Sequence, residues 1–207
     1  DTSGLGNNGT LTGDPTWVSG IKGGALSFDG IDDYVIIPDS PSLDISKSIT
    51  LSFWVKPIKT TDCYSNQLMQ KAFNTANSNF NVYYVGGKKE ENGEVGKVLL
   101  YANVGVPWQL VNNGMKPLNK SEWNHVVFTY KSGEGILYLN GVASSTKTTL
   151  TGGLALNNEP IYIGYASNAF SGTQCPAGSF FDGAMDDVRI YNRVLSPDEV
   201  EKIYKLQ

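Results

Sequence analysis

Ile49-Thr50-Leu51-Ser52-Phe53-Trp54-Val55-Lys56 carries the pattern that decides the fold. Side chains alternate across an extended strand, so Ile49, Leu51, Phe53 and Val55 share one face and Thr50, Ser52, Trp54 and Lys56 the other. A strand with one apolar face needs a second layer to cover it. The same alternation returns in Trp123-Asn124-His125-Val126-Val127-Phe128-Thr129-Tyr130. The turn Lys131-Ser132-Gly133-Glu134-Gly135 and the run Ile136–Gly141 follow, which predicts a hairpin closed by a Gly-containing loop.

Further alternating runs lie near 24–28, 33–37, 67–71, 80–85, 97–104, 107–111, 160–164 and 184–192. That many strands in one chain predicts two antiparallel sheets packed face to face. A single helix is expected, at the C-terminal end. Ser196 is the N-cap, Pro197 the first helical residue and Glu199 the third, with Val200, Ile203 and Tyr204 at helical spacing. No Pro/Ser linker divides the chain, so residues 1–207 read as one domain.

Composition narrows the function classes. The 207 residues include 23 Gly and only 17% charged residues, with a net charge of −4. The densest basic spot, Lys88-Lys89, is followed at once by Glu90-Glu91, so a concentrated basic face for nucleic acid or an anionic membrane is not expected. No apolar run approaches the ~20 residues needed to span a bilayer, and the N-terminus has no charged-then-apolar signal pattern, as expected of a mature or excised module. Cys63 and Cys175 sit in Ser-, Thr-, Gly- or Pro-rich segments. They suit either a disulfide, worth about 4–5 kcal/mol for a loop of that length, or two separate thiols.

Two acidic stretches lie at opposite ends of the sequence: Phe28-Asp29-Gly30-Ile31-Asp32-Asp33-Tyr34 and Met185-Asp186-Asp187-Val188-Arg189. If Val188 and Ile190 face the core, parity puts Asp186 on the same side, where a carboxylate needs a cation or donors. Calcium takes six to eight oxygens, so Asp29, Gly30 and Asp186 with Asp32 or Asp33 form an adequate ligand set tying the first strands to the last. The alternative is that each aspartate caps a turn.

Four motifs together carry a family resemblance: Asp1-Thr2-Ser3-Gly4-Leu5-Gly6-Asn7-Asn8-Gly9-Thr10-Leu11, Gly24–Val35, Trp123-Asn124-His125-Val126 with Leu139-Asn140-Gly141, and Asp186–Ser196. In order and spacing they resemble the laminin G-like domains of the concanavalin A-like lectin/glucanase superfamily. The resemblance implies an all-β, two-sheet antiparallel jelly-roll sandwich with a short C-terminal helix, a calcium on the convex side, and an extracellular or cell-surface setting. The chain departs from the pattern where a strand normally precedes Asp1, and in the segment 60–119, which is longer and more aromatic than a minimal module needs.

Catalysis is not expected. His125 is the one histidine, and it sits mid-strand without a second His or a reactive Cys to build a nucleophile–base arrangement. Glycosidases of this architecture resemble one another in a Glu-x-Asp-x-x-Glu strand, which is absent; Glu90, Glu91 and Glu94 lie in an evident loop. Lyases of similar fold need an Arg and Gln array, and Arg189 and Arg193 are the only arginines. Glycan binding is the expected role, through ring stacking and amide hydrogen bonds. Tyr64, Tyr84, Tyr101, Trp108, Gln109, Tyr165 and Asn168 are the candidate ligand-binding residues, Trp108 foremost, against core packing for any one ring. The alternative partner is a cell-surface protein, in an adhesion role.

Overall fold

The structure, a computed structural model, describes residues 1–58, 65–71, 79–85, 96–104, 106–110, 117–131, 133–144, 148–149, 152–166 and 179–206. It is an all-β sandwich. One sheet has seven strands, ordered β1 (Thr10–Thr12), β4 (Tyr34–Ile37), β14 (Ile161–Ile163), β6 (Ser65–Lys71), β7 (Phe80–Val85), β8 (Val98–Val104) and β9 (Val106–Leu110). The other is ordered β12 (Val142–Ala143), β11 (Glu134–Leu139), β10 (Asn124–Lys131), β5 (Ser48–Pro57), β17 (Asp182–Tyr191), β3 (Gly24–Asp29) and β2 (Thr16–Ser19), with β13 (Thr148–Thr149) also on β11. A short pair, β15 (Tyr165–Ala166) and β16 (Ser179–Phe180), completes the strands. All described pairings are antiparallel.

The alternation in β5 is realised residue by residue. Ile49, Leu51, Phe53 and Val55 enter the core between the sheets, where Leu68, Phe80, Val82, Leu100 and Phe128 meet them. Each such side chain contributes about 1.5–3 kcal/mol on burial. The opposite face of β5 is buried too, because helix α1 (Pro197–Lys205) lies over it. Val200 and Leu195 join Val127 and Tyr138 in a second apolar cluster. The predicted capping box is present: Glu199 N–H donates to Ser196 Oγ at 3.2 Å, and Ser196 N–H donates to Glu199 Oε2 at 2.8 Å.

The Leu139-Asn140-Gly141 motif is a two-residue hairpin turn with both central residues at positive φ, 51° and 79°, as a tight turn matching the strand twist requires. Asn140 then ties that turn to β10, accepting from the His125 N–H at 2.8 Å through Oδ1 and donating its own N–H to the His125 carbonyl. The turn and the start of β10 are thus locked by a local hydrogen-bonded joint that uses the His125 main chain.

The parity expected of Asp186 and the exposure expected of Tyr84 both fail here. Asp186 does not face inward with Val188 and Ile190. Its cross-strand partner is Trp54, on the side of the sheet that α1 covers, while Met185 enters the core. A β-bulge between Asp186 and Arg189, with Asp187 at φ 46°, adds one residue and reverses the alternation. Tyr84 likewise belongs to the core with Phe80 and Val82, and Tyr83 takes the outer face. Cys63, Cys175, Tyr64 and Asn168 lie outside the described residues.

Candidate functional site

The outer face of the seven-stranded sheet is built by one row across its strands. Tyr162 sits opposite Ile36 and Gln70, Gln70 opposite Asn81, Asn81 opposite Tyr101, and Tyr101 opposite Leu110. The flanking residues Ile161, Ile163, Met69, Val82 and Leu100 enter the core, which turns this row away from it. Gln70 and Asn81 are buried. Gln67 donates to Asn81 Oδ1 at 2.7 Å and to the carbonyls of Met69 and Val82, so this amide is consumed in holding the bulge at 67–69. Tyr101 stacks on Tyr83 at 5.7 Å with 7° between ring planes.

The more open part of that face is a cluster of four half-buried rings drawn from four strands. Tyr34 lies 4.9 Å from Tyr165, Tyr165 stacks on Phe180 at 4.7 Å, and Tyr162 meets Tyr165 edge-on at 5.7 Å. Each is fixed from beneath: Tyr34 and Tyr162 alternate with the core residues Val35, Ile161 and Ile163. Burial raises the Tyr162 phenol above its usual range, and the neighbouring Tyr34, Tyr165 and Glu159 push it further the same way. Burial, then Tyr34, raises Tyr165. Both phenols are therefore neutral donors at physiological pH.

Of the rings on this face, the sequence reading names Tyr165 and Tyr101 and omits Tyr34, Tyr162 and Phe180. Tyr162 was detectable, since a tyrosine between two inward isoleucines must point outward. Tyr34 becomes a neighbour of Tyr165 only through the β4–β14 pairing. Trp108 and Gln109 belong to β9.

The aspartates divide into two places. Asp29, Asp32 and Asp33 bring carboxylate oxygens within 4.8 Å of one another beside a recess of about 230 Å³ that Asp14, Thr16 and Ser27 also line. Asp33 is buried and accepts the N–H groups of Asp14 and Asp29 at 2.8 and 3.0 Å; Asp29 Oδ1 accepts those of Ile31 and Asp32. Gly30, between them, is at φ 77°, and a Cβ there would lie 2.8 Å from that of Asp182.

Asp186 is not part of this group. Asp29 pairs with Asp182, so the Asp186 backbone stands four residues further along the strand, roughly 13 Å away, and its carboxylate is not among those gathered with Asp29. Asp186 instead accepts the Lys22 N–H through Oδ2 and the Asp187 N–H through Oδ1. It joins the β2–β3 turn to the last strand through hydrogen bonds, which removes the need for a metal at that position.

His125 is also accounted for. It is 1% exposed, its Nε2 shares a hydrogen bond with Ser52 Oγ at 3.1 Å, and its ring stacks on Trp54 at 4.9 Å and on Tyr204 of α1 at 6.0 Å. Burial lowers its pKa to about 4, Asp187 opposing and Arg189 adding to the shift. Arg189 is engaged by both oxygens of Asp187. His125 is closed off from solvent, and Arg189, which borders a small recess of about 40 Å³ with Trp54 and Lys22, is held by Asp187.

Residues 29–201 match the family described as the Concanavalin A-like lectin/glucanases superfamily. The chain belongs to that superfamily. This lectin/glucanase-type domain resembles domain 4 of an extracellular arabinanase from Geobacillus stearothermophilus, solved with arabinotriose: 22% identity, TM-score 0.70, covering 95% of this chain and 88% of that one. It also resembles the binding domain of botulinum neurotoxin serotype G, at 15% identity and TM-score 0.72. The serotype D ligand-binding domain, solved with N-acetylneuraminic acid, aligns at 16% identity and TM-score 0.73. The chain covers 47% and 48% of those two toxin chains, about half their length. No curated protein matches it.

Proposed function

We propose that this domain is a non-catalytic, extracellular glycan-binding module whose ligand rests on the outer face of the seven-stranded sheet. The observation that carries the reading is the ring cluster of Tyr34, Tyr162, Tyr165 and Phe180, held by a rigid sheet. Aromatic faces bury the apolar C–H surface of a sugar ring while phenol hydroxyls bond its hydroxyls. The arabinanase domain and the serotype D domain, both solved with carbohydrate, support glycan as the ligand class. The buried state of His125 and the pairing of Arg189 support the absence of catalysis. That no helix among the described residues is long and apolar enough to cross a membrane, and that the similar arabinanase is extracellular, are consistent with the setting.

A structural calcium belongs to the same reading, with Asp29, Asp32 and Asp33 as its ligands. Their donor chemistry fits: three carboxylates adjoin one recess, and the Asp32 carboxylate and Asp29 Oδ2 accept no hydrogen bond among the described residues. The ion would fix the loop that leads into Tyr34. Proposed too is a Cys63–Cys175 bridge.

The test is a glycan array and an insoluble-polysaccharide pull-down on wild type and Tyr165→Ala. Wild type is expected to bind a defined glycan, and loss of the stacked ring to weaken binding at least tenfold with an unchanged circular dichroism spectrum. Unaltered binding by the variant refutes the placement of the site. A chelator that leaves the melting temperature unmoved refutes the calcium.

A further inference from the structure

The charges around the ring cluster decide more than its rings do. The nearest described cation in the sheet is Lys71, one residue after Gln70 and opposite Ile161. It is fully buried, with Nζ on Asp39 at 2.5 Å and Asp44 at 3.5 Å, and it donates to the carbonyls of Asn157 and Glu159 at 3.0 Å. Its charge is therefore neutralised away from the rings. The described cation–ring contact is Arg193 over Tyr191, on the other sheet. What stands beside the rings is negative. Lys71 and Asn157 clamp the segment leading into β14, and that clamp fixes Glu159 three residues before Tyr162, close enough to act on its phenol.

We infer that the ring platform of Tyr34, Tyr162, Tyr165 and Phe180, with Glu159 at its edge and Lys71 withdrawn into ion pairs, selects uncharged oligosaccharides and rejects sugars bearing a carboxylate. This rests on the glycan-binding reading and narrows it. A sialic or uronic acid set on the tyrosines would bring its carboxylate towards Glu159 with no described guanidinium or ammonium to receive it, whereas a neutral sugar needs only ring faces and phenol donors. Glu159 is then a specificity residue that acts by repulsion.

Binding is measured for wild type and Glu159→Gln on an array of neutral oligosaccharides, arabinotriose among them, and acidic ones capped with N-acetylneuraminic or uronic acid. Solution titration of the strongest hit follows. Wild type is expected to favour neutral over acidic glycans by at least tenfold. Glu159→Gln, which keeps the backbone carbonyl that Lys71 uses, is expected to gain about three- to fivefold on the acidic set, as a single partly solvated charge at this range predicts, and to hold its affinity for neutral sugars. Equal or tighter binding of acidic glycans by wild type overturns the selectivity and leaves the glycan reading intact. A variant with no gain on the acidic set removes Glu159 from the role. Binding of no glycan at all brings down both.

Discussion

His125 offers a quantitative test of how dry the interface under α1 is. Its imidazole lies between Trp54 and Tyr204, with one nitrogen on Ser52 and Nδ1 buried with no partner among the described residues. Burial lowers its pKa from 6.5 to about 4. The folded state thus prefers the neutral ring, while the unfolded chain takes up a proton near pH 6.5. The stabilisation is complete above pH 6.5, declines as pH falls towards 4, and changes no further below it. At 1.36 kcal/mol per pH unit, the loss across that window is about 3 kcal/mol. This is a large part of the ~5–15 kcal/mol that stabilises a typical domain. Urea unfolding of wild type and His125→Gln at pH 7.5, 6, 5 and 4 isolates the contribution. The variant should be less stable at pH 7.5, having lost the ring stack, and its stability should fall less with acid, by about 3 kcal/mol over the range. Parallel curves would refute the reasoning, because they would mean that the ring is protonated as readily in the folded protein as in water.

Three further outcomes follow from the packing. Lys71→Met strands the carbonyls of Asn157 and Glu159 and unpairs Asp39, so urea unfolding should show a loss of about 3–5 kcal/mol, with Asp39→Asn in the same background recovering part of it. Gly20→Ala places a Cβ 2.4 Å from Asp186 Oδ2, which must then leave the Lys22 N–H; about 1–3 kcal/mol should be lost, without effect on glycan binding. Ser196→Ala removes one half of the capping box and should cost about 1 kcal/mol, read as a melting shift of about 2–4 °C.

Much of the architecture was legible from local pattern. Alternation in Ile49–Lys56 fixed which side chains enter the core, because a strand's two faces are set by the backbone alone. Ser196, Pro197 and Glu199 marked the helix start through hydrogen bonds that span three residues. Short edge strands such as Thr10–Thr12 and Val142–Ala143 escaped notice, since they bury little and leave no period to read.

The candidate site depended on what no local pattern contains. One extra residue at Asp187 turned Asp186 from the core side to the helix-covered side and away from Asp29, and a bulge is a property of two paired strands. Tyr34, Tyr162, Tyr165 and Phe180 come from four strands separated by up to about 150 residues, brought together by pairing and by the β15–β16 return. Local pattern was enough to specify a two-layered β sandwich with a capped terminal helix, because alternation and capping act over a few residues. Which rings meet and which carboxylates stand beside them came from the assembled fold, because strand order and register are set by the packing of the whole core.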